Sequence, residues 1–362
     1  MSSQRFHRCR LKPQSFTPCA YSSSQIIVFD ATEVPMRPFA ILLLACTLAL
    51  PAFAAKQYSY YRVGNANDVT TSTTPGTMLE GGGTDVDAAY QWMCQLSGNG
   101  DFLVIRSTGT DAYNPYIQQL CPNENSVATL IIPNLTAAND PFVSSTILHA
   151  EALFIAGGNQ ADYINFWQGT PVQSALNTLI AKGVPIGGTS AGMNVLSQFV
   201  YTALGAQGVT SSEALANPYN KYITLGENFV NISILQGLLD DPHFVTRDRM
   251  GRDLAFMCRV YINGWSSAPR DITIDEQTAL LLDSKGNGTV VGVSTVHFLQ
   301  APGPPQACQA GVPLTYQNIS VYRIATGGTF NVLSWSGTGG TTYSVSANAG
   351  VLSSTQPGGG IY

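Results

Sequence analysis

Charge is what this 362-residue sequence has least of: Asp, Glu, Lys and Arg together make up 11% of it, against about 25% in an ordinary soluble domain. A disordered chain is excluded, because that state combines low hydrophobicity with high net charge, and 44% of the residues here are hydrophobic. A coiled coil is excluded too, since it needs an apolar heptad seam flanked by charged residues. Bases are scarcest, 17 Lys and Arg against 22 Asp and Glu, so neither nucleic-acid binding nor stable association with an anionic membrane is expected. No Cys-x-x-Cys or Cys-x-x-His spacing supports a zinc site, and no metal or cofactor is expected. The apolar run at residues 39–50 covers twelve positions, short of the ~20 that span a bilayer.

What is present begins with that same run. Met36-Arg37-Pro38 is a short basic start, and Ala52-Phe53-Ala54 places small residues before a cleavage point. The pattern reads as a secretory signal peptide over residues 36–54, with export to the periplasm or medium. Residues 1–35 form an N-terminal extension without pattern, and Met36 is a candidate start. Without residues 1–54 the chain keeps 308 residues, with 12 basic against 20 acidic, a net charge of −8. Cys94, Cys121, Cys258 and Cys308 remain, an even count that suits two disulfides in an exported chain. Neighbour pairing, Cys94 with Cys121 and Cys258 with Cys308, is the choice made among three connectivities.

Gly81-Gly82-Gly83 opens into an amphipathic run over residues 84–93. Short apolar strands are expected at 101–105, 125–132, 153–156 and 183–186, with helical patterns at 161–167 and 170–181. Strands alternating with helices indicate a parallel sheet covered on both faces. Residues 272–274, 279–282, 289–291 and 319–324 read as further strands that extend the sheet. Residues 55–335 are therefore taken as one α/β domain with a β-rich C-terminal part. Residues 336–362, rich in Gly, Ser and Thr, are taken as a mobile tail without chemistry.

Gly188-Thr189-Ser190-Ala191-Gly192 fits Gly-x-Ser-x-Gly after an expected strand and before a helix-compatible run. Small residues on either side let the backbone turn tightly and expose the serine, the arrangement of a nucleophile elbow. A glycine-rich turn with a capping serine is the alternative. A serine nucleophile needs a base, and the exported chain holds His149, His243 and His297. His149 and His297 lie beside or inside apolar strands and read as partly buried structural residues. His243 sits in Asp240-Asp241-Pro242-His243-Phe244, followed by Arg247, Arg249 and Arg252. Three arginines within six residues of a base-poor chain read as a local anion site, because guanidinium groups grip carboxylates in two-pronged fashion. A helix turns about 100° per residue, so one regular helix would not aim all three at a single ligand. If all touch substrate, the segment after His243 is loop or only partly helical.

These residues resemble cyanophycinase and, more broadly, the serine peptidases that share the class I glutamine amidotransferase-like fold. The matching pieces are Gly81-Gly82-Gly83, Gly157-Gly158-Asn159-Gln160, residues 187–192, the His/Arg segment, and residues 274–280 with Asp275-Glu276-Gln277 at their centre. The resemblance implies a three-layer α/β sandwich with a mostly parallel central sheet. It implies Ser190 as nucleophile, His243 as general base and Glu213 as the orienting acid, with Glu227 and Asp241 as rivals. Backbone amides of Ala191 and of Gly82 and Gly83 would form the oxyanion hole. Gln160, Asp241, Arg247, Arg249 and Arg252 would bind substrate. Cyanophycin, the implied substrate, is a polyaspartate backbone with arginine on each β-carboxyl, released as β-Asp-Arg dipeptides. Pro242 stands where the family often has Gln, a departure that removes a side-chain amide and a backbone donor. An aspartyl dipeptidase and a non-catalytic acidic-peptide binder remain the alternatives. The expected partner is the polymeric or peptide substrate, and a homodimer is allowed for.

Overall fold

A computed structural model describes residues 56–362. The signal peptide expected at 36–54 and the extension expected at 1–35 lie outside the described residues. The central sheet has ten strands. Its middle is parallel, in the spatial order Ser126–Ile131, Asp101–Arg106, Ala152–Ile155, Ile186–Thr189, Gly76–Glu80. These strands read as unbroken apolar runs because both faces are covered. Alternate side chains go to opposite faces: Leu103, Ile105, Leu153 and Ile155 join one core, and Phe102, Val104 and Phe154 join another. Helices Pro141–Leu148 and Pro171–Lys182 cover the first face, and helices Asp87–Ser97 and Tyr113–Leu120 cover the second. The result is the three-layer α/β sandwich expected.

Local chemistry sets the ends of these elements. Asp140 and Thr170 cap their helices through side-chain oxygens and each precedes a proline at the first helical position, where the missing N–H costs nothing. The strand expected at 183–186 starts later, at Ile186, because Gly183 takes a left-handed conformation and ends the preceding helix.

The C-terminal third divides between two sheets. Strands Thr278–Asp283, Asn287–Gly292, Thr329–Asn331 and Ser336–Thr338 extend the central sheet antiparallel. The others build a six-stranded sheet in which Leu238–Asp241 lies parallel to Arg270–Ile274, followed by Thr295–Gln300, Tyr316–Ala325, Thr341–Asn348 and Val351–Ser354. Extension of one sheet was thus half of the outcome. The expectation of a mobile tail is corrected: residues 336–354 supply three strands, and Tyr343, Val345 and Ala347 are buried against helix Met250–Ile262 and its neighbours. Alternation of small polar and apolar residues suits a strand with one solvated face.

Both disulfides have the neighbour pairing. Cys94–Cys121 ties helix Asp87–Ser97 to the end of helix Tyr113–Leu120, and Cys258–Cys308 ties helix Met250–Ile262 to the loop before the six-stranded sheet's longest strand. Closing loops of 27 and 50 residues contributes about 3–4 kcal/mol each on the chain-entropy estimate.

Candidate active site

Strand Ile186–Thr189 ends in a turn where Ser190 has φ +52°. A residue with a Cβ holds that conformation only where its surroundings enforce it. They do so through the flanking glycines. A Cβ on Gly192 would fall 1.9 Å from the Ile155 carbonyl oxygen, and one on Gly188 would fall 2.4 Å from that of Gly192. The expected elbow is therefore built, although a short 3₁₀ turn, Ser190–Val195, follows it in place of a regular helix.

His243 arrives from the other sheet. Strand Leu238–Asp241 delivers it at its C-terminal end, and φ +51° turns the residue back so that its amide donates to the Gly81 carbonyl at 2.8 Å. The Ser190 hydroxyl lies 2.6 Å from His243 Nε2. His243 Nδ1 lies 2.6 Å from Glu276 Oε1. With the Nδ1 proton donated to the carboxylate, Nε2 is left to accept from the serine. Burial pushes the imidazole pKa down, Arg249 and Arg247 add to that, and Glu276 opposes it, for a value of about 4. The ring is therefore neutral at pH 7, as a general base requires.

The acid expected from sequence is corrected. Glu213 is partly exposed, and its carboxylate accepts from the Thr210 amide and hydroxyl at 2.9 and 2.8 Å in a capping box on helix Ser211–Ala216. Glu227 lies in the short strand Leu225–Glu227, and Asp241 is engaged by arginines. Glu276 takes the position because strands Leu238–Asp241 and Arg270–Ile274 run in parallel register, with Asp241 opposite Thr273. Both segments leave the sheet at the same end, where the Phe244 amide donates to the Ile274 carbonyl at 3.2 Å. The available signal was an acidic residue in the segment joining two apolar strands.

The glycine triplet packs over this pair. A Cβ on Gly82 would meet His243 Cε1 at 2.3 Å, and one on Gly83 would meet Glu276 Cβ at 3.0 Å. The α-carbon of Gly83 thus faces the acid, while that of Gly82 faces the imidazole. The backbone that stands against the nucleophile is Gly157, whose Cβ would lie 3.4 Å from that of Ser190. Sequence reading singled out that Gly-Gly pair but gave it no role. Ala191 follows Ser190 directly and is buried. Glu80, buried at the end of strand Gly76–Glu80, accepts from the Val86 amide at 2.7 Å and so holds the base of the glycine loop. Burial and the neighbouring Asp85 push its pKa up to about 8.

The arginines do not act as one set. Residues 243–249 are a turn and helix Met250–Ile262 begins after them, so Arg247 and Arg249 lie in the turn and Arg252 in the helix. Arg252 grips Asp241 with two nitrogens, its Nε at 2.7 Å from Oδ2 and its Nη2 on Oδ1. Arg249 donates to the Pro242 carbonyl at 2.7 Å and to Asp241 at 3.3 Å. Asp241 is fully buried; burial opposes its ionisation, but Arg252 and Arg249 outweigh that and hold its pKa at about 2. Asp253 and Asp271, also fully buried, are raised well above the carboxylate range by burial and then by Asp241. Asp241 is therefore the ionised member of the cluster and positions guanidinium groups, which corrects its expected role as a substrate contact. Arg247 stands apart, half exposed, 3.3 Å from Glu276. Arg249 and Arg252 border a cleft of about 410 Å³ that Gln160, Asp162, Asn165 and Tyr201 also line. Arg252 lies 5.0 Å over the Tyr201 ring.

Residues 118–285, which carry Ser190, His243 and Glu276, match the family model described as Peptidase family S51. The match supports that family, and with it a serine-type peptidase. Among solved structures, the chain is similar to a peptidase from an acI-B1 Actinobacterium, at 16% identity and a TM-score of 0.48, over 72% of this chain and 98% of that one. It is also similar to a candidate peptidase E protein from Listeria monocytogenes EGD-e, at 14% identity and a TM-score of 0.40, over 61% and 100% of the two chains.

Proposed function

We propose that this chain is an exported serine peptidase of the S51 family that cuts aspartyl peptide bonds, with cyanophycin as substrate. The observation that carries the reading is the continuous relay from Ser190 through His243 to Glu276, set beside a cleft bordered by the guanidinium groups of partly buried Arg249 and buried Arg252. Ser190 Oγ attacks the carbonyl carbon while His243 Nε2 takes its proton, and Glu276 stabilises the imidazolium that forms. In this reading the Ala191 amide and the backbone amides of Gly157 and Gly158 hold the oxyanion, which the closeness of Gly157 to Ser190 supports. The imidazolium returns its proton to the leaving amine, which departs. A water deprotonated by His243 then attacks the acyl-serine, and Ser190 is regenerated. Arg249 and Arg252 attract aspartyl carboxylates, and Gln160 offers an amide to an arginine side chain of the polymer. Two disulfides and the sequence pattern at residues 36–54 fit an oxidising compartment outside the cytoplasm, where an insoluble polymer is accessible.

One observation favours a second reading. Asp241 is buried and already paired, so it offers no free carboxylate to a substrate arginine, and small Asp-X dipeptides need none. The test incubates the purified protein with insoluble cyanophycin and, separately, with soluble α-linked Asp-X dipeptides. Release of β-Asp-Arg, absent with Ser190→Ala, supports the polymer. Cleavage of the dipeptides alone selects the aspartyl dipeptidase.

A further inference from the structure

The segment that carries the base and the arginines is held from a distance. Residues 243–249 contain two left-handed residues with side chains, His243 at φ +51° and Asp248 at φ +49°. Such conformations persist only where neighbours over-determine them. The helix that follows, Met250–Ile262, begins without any cap from its own flanking residue, Arg249, although its first amides need acceptors. Two remote residues supply them. Ser211 Oγ accepts from the Gly251 and Arg252 amides at 3.1 and 3.3 Å and donates to the Asp248 carbonyl. Tyr362 Oη accepts from the Met250 amide at 2.9 Å and donates to Asp248 Oδ1 at 2.8 Å.

The Tyr362 ring fits the same place. It packs edge-on against Phe244, the residue after the base, with ring centres 5.2 Å apart, and against buried His297 at 6.3 Å. Its own segment is anchored in turn. Gln356 donates to the Tyr362 carbonyl at 3.1 Å, and Tyr343 of the six-stranded sheet donates to the Ile361 carbonyl at 3.1 Å.

We propose that Tyr362 is a positioning residue for the reaction: its phenol closes the turn between His243 and helix Met250–Ile262 and so fixes the base and Arg247, Arg249 and Arg252 relative to Ser190. The inference rests on the peptidase reading above. Tyr362 acts through the turn and touches neither Ser190 nor Glu276. Burial first, and then the charges of Arg249 and Arg247 in the turn, hold the His243 pKa down, while Glu276 opposes them. A loosened turn therefore admits water to the imidazole and withdraws the guanidinium charges together.

The test compares Tyr362→Phe, which keeps the ring, with Tyr362→Ala, which removes it. Measured quantities are kcat/KM against pH on whichever of cyanophycin and the α-linked Asp-X dipeptides the wild type cleaves, the inactivation rate with a serine-reactive phosphonate, and hydrogen exchange over residues 243–250. Losing the phenolic bonds lowers kcat/KM by about tenfold, and losing the ring as well lowers it by about 100-fold, as expected for a misplaced catalytic group. In both variants the acid limb of the profile moves up from about pH 4 towards 6.5, and exchange over 243–250 speeds up. A purely structural role would lower the melting temperature and leave the pH limb and kcat/KM of the folded protein unchanged, and that result overturns the proposal. Wild-type protein inert to both peptide and phosphonate defeats the peptidase reading itself, which is a separate failure.

Discussion

The two sides of the site are built on different principles. Ser190 is placed by its own turn: glycines two positions before and two after it, kept for lack of room, let the serine turn outward at the end of one central strand. His243 and Glu276 are placed by the six-stranded sheet, through the parallel register of two strands about thirty residues apart, and by buried charges around Asp241. The nucleophile's geometry is thus local and steric. The geometry of base and acid is long-range and electrostatic. Removing the Ser190 hydroxyl should act on chemistry alone, whereas neutralising a buried charge on the second side should trade chemistry against stability.

The largest effect is expected from the chemical groups themselves. Ser190→Ala should lower kcat by about 10⁶-fold while leaving the thermal melt unchanged, since removing a triad nucleophile costs that much in a serine protease. His243→Ala should match it. His149→Ala leaves turnover near the wild-type rate, because His149 caps a distant helix. Near-normal hydrolysis by the Ser190 variant would break the comparison at its first term.

Next comes the electrostatic side. Asp241→Asn leaves Arg252 buried beside a neutral amide, and breaking a buried pair in this way costs about 3–5 kcal/mol of stability. Denaturant unfolding should show it, and a variant as stable as the wild type would mean that Asp241 does not organise the arginines.

The relay also sets a pH limit. Because His243 must be neutral to accept a proton and its pKa is held at about 4, kcat/KM should stay level as pH falls to about 5 and drop below about 4. The same depression makes the unfolded chain bind more protons between pH 6.5 and 4, so the His243 contribution to stability declines across that window as pH falls. An acid limb at 6.5 in the intact enzyme would show an exposed, unshielded base.

The smallest effect separates the two acids. Glu213→Ala should leave kcat unchanged and lower the melting temperature slightly, since its carboxylate only closes a capping box. Loss of turnover in this variant would return Glu213 to the site.

What sequence disclosed follows the same division. The elbow at residues 188–192 was legible because steric demand fixes residue types at fixed spacing, and the central strands were legible as apolar runs between turn signals. His243 stood out because arginines crowd beside it in a base-poor chain. Glu276 was not legible as the acid. Its partner lies 33 positions earlier, so the segment around Asp275-Glu276-Gln277 could be singled out between two apolar strands without showing which side chain it meets. Glu213 was attractive for sitting between Ser190 and His243 in the chain, an order that carries no geometric weight. The C-terminal strands were missed because Gly, Ser and Thr composition resembles a linker until the buried Tyr343, Val345 and Ala347 are seen to share one face.

The account depends most directly on Glu276 orienting His243. Inactivation by a serine-reactive phosphonate, followed by mass analysis of the Ser190 peptide, reads that role without assuming any peptide substrate. Glu276→Gln should slow adduct formation by about 10⁴-fold, as replacing the triad acid does elsewhere, while Glu213→Gln reacts at the wild-type rate. Equal rates for Glu276→Gln and wild type, or a comparable loss in Glu213→Gln, would contradict it.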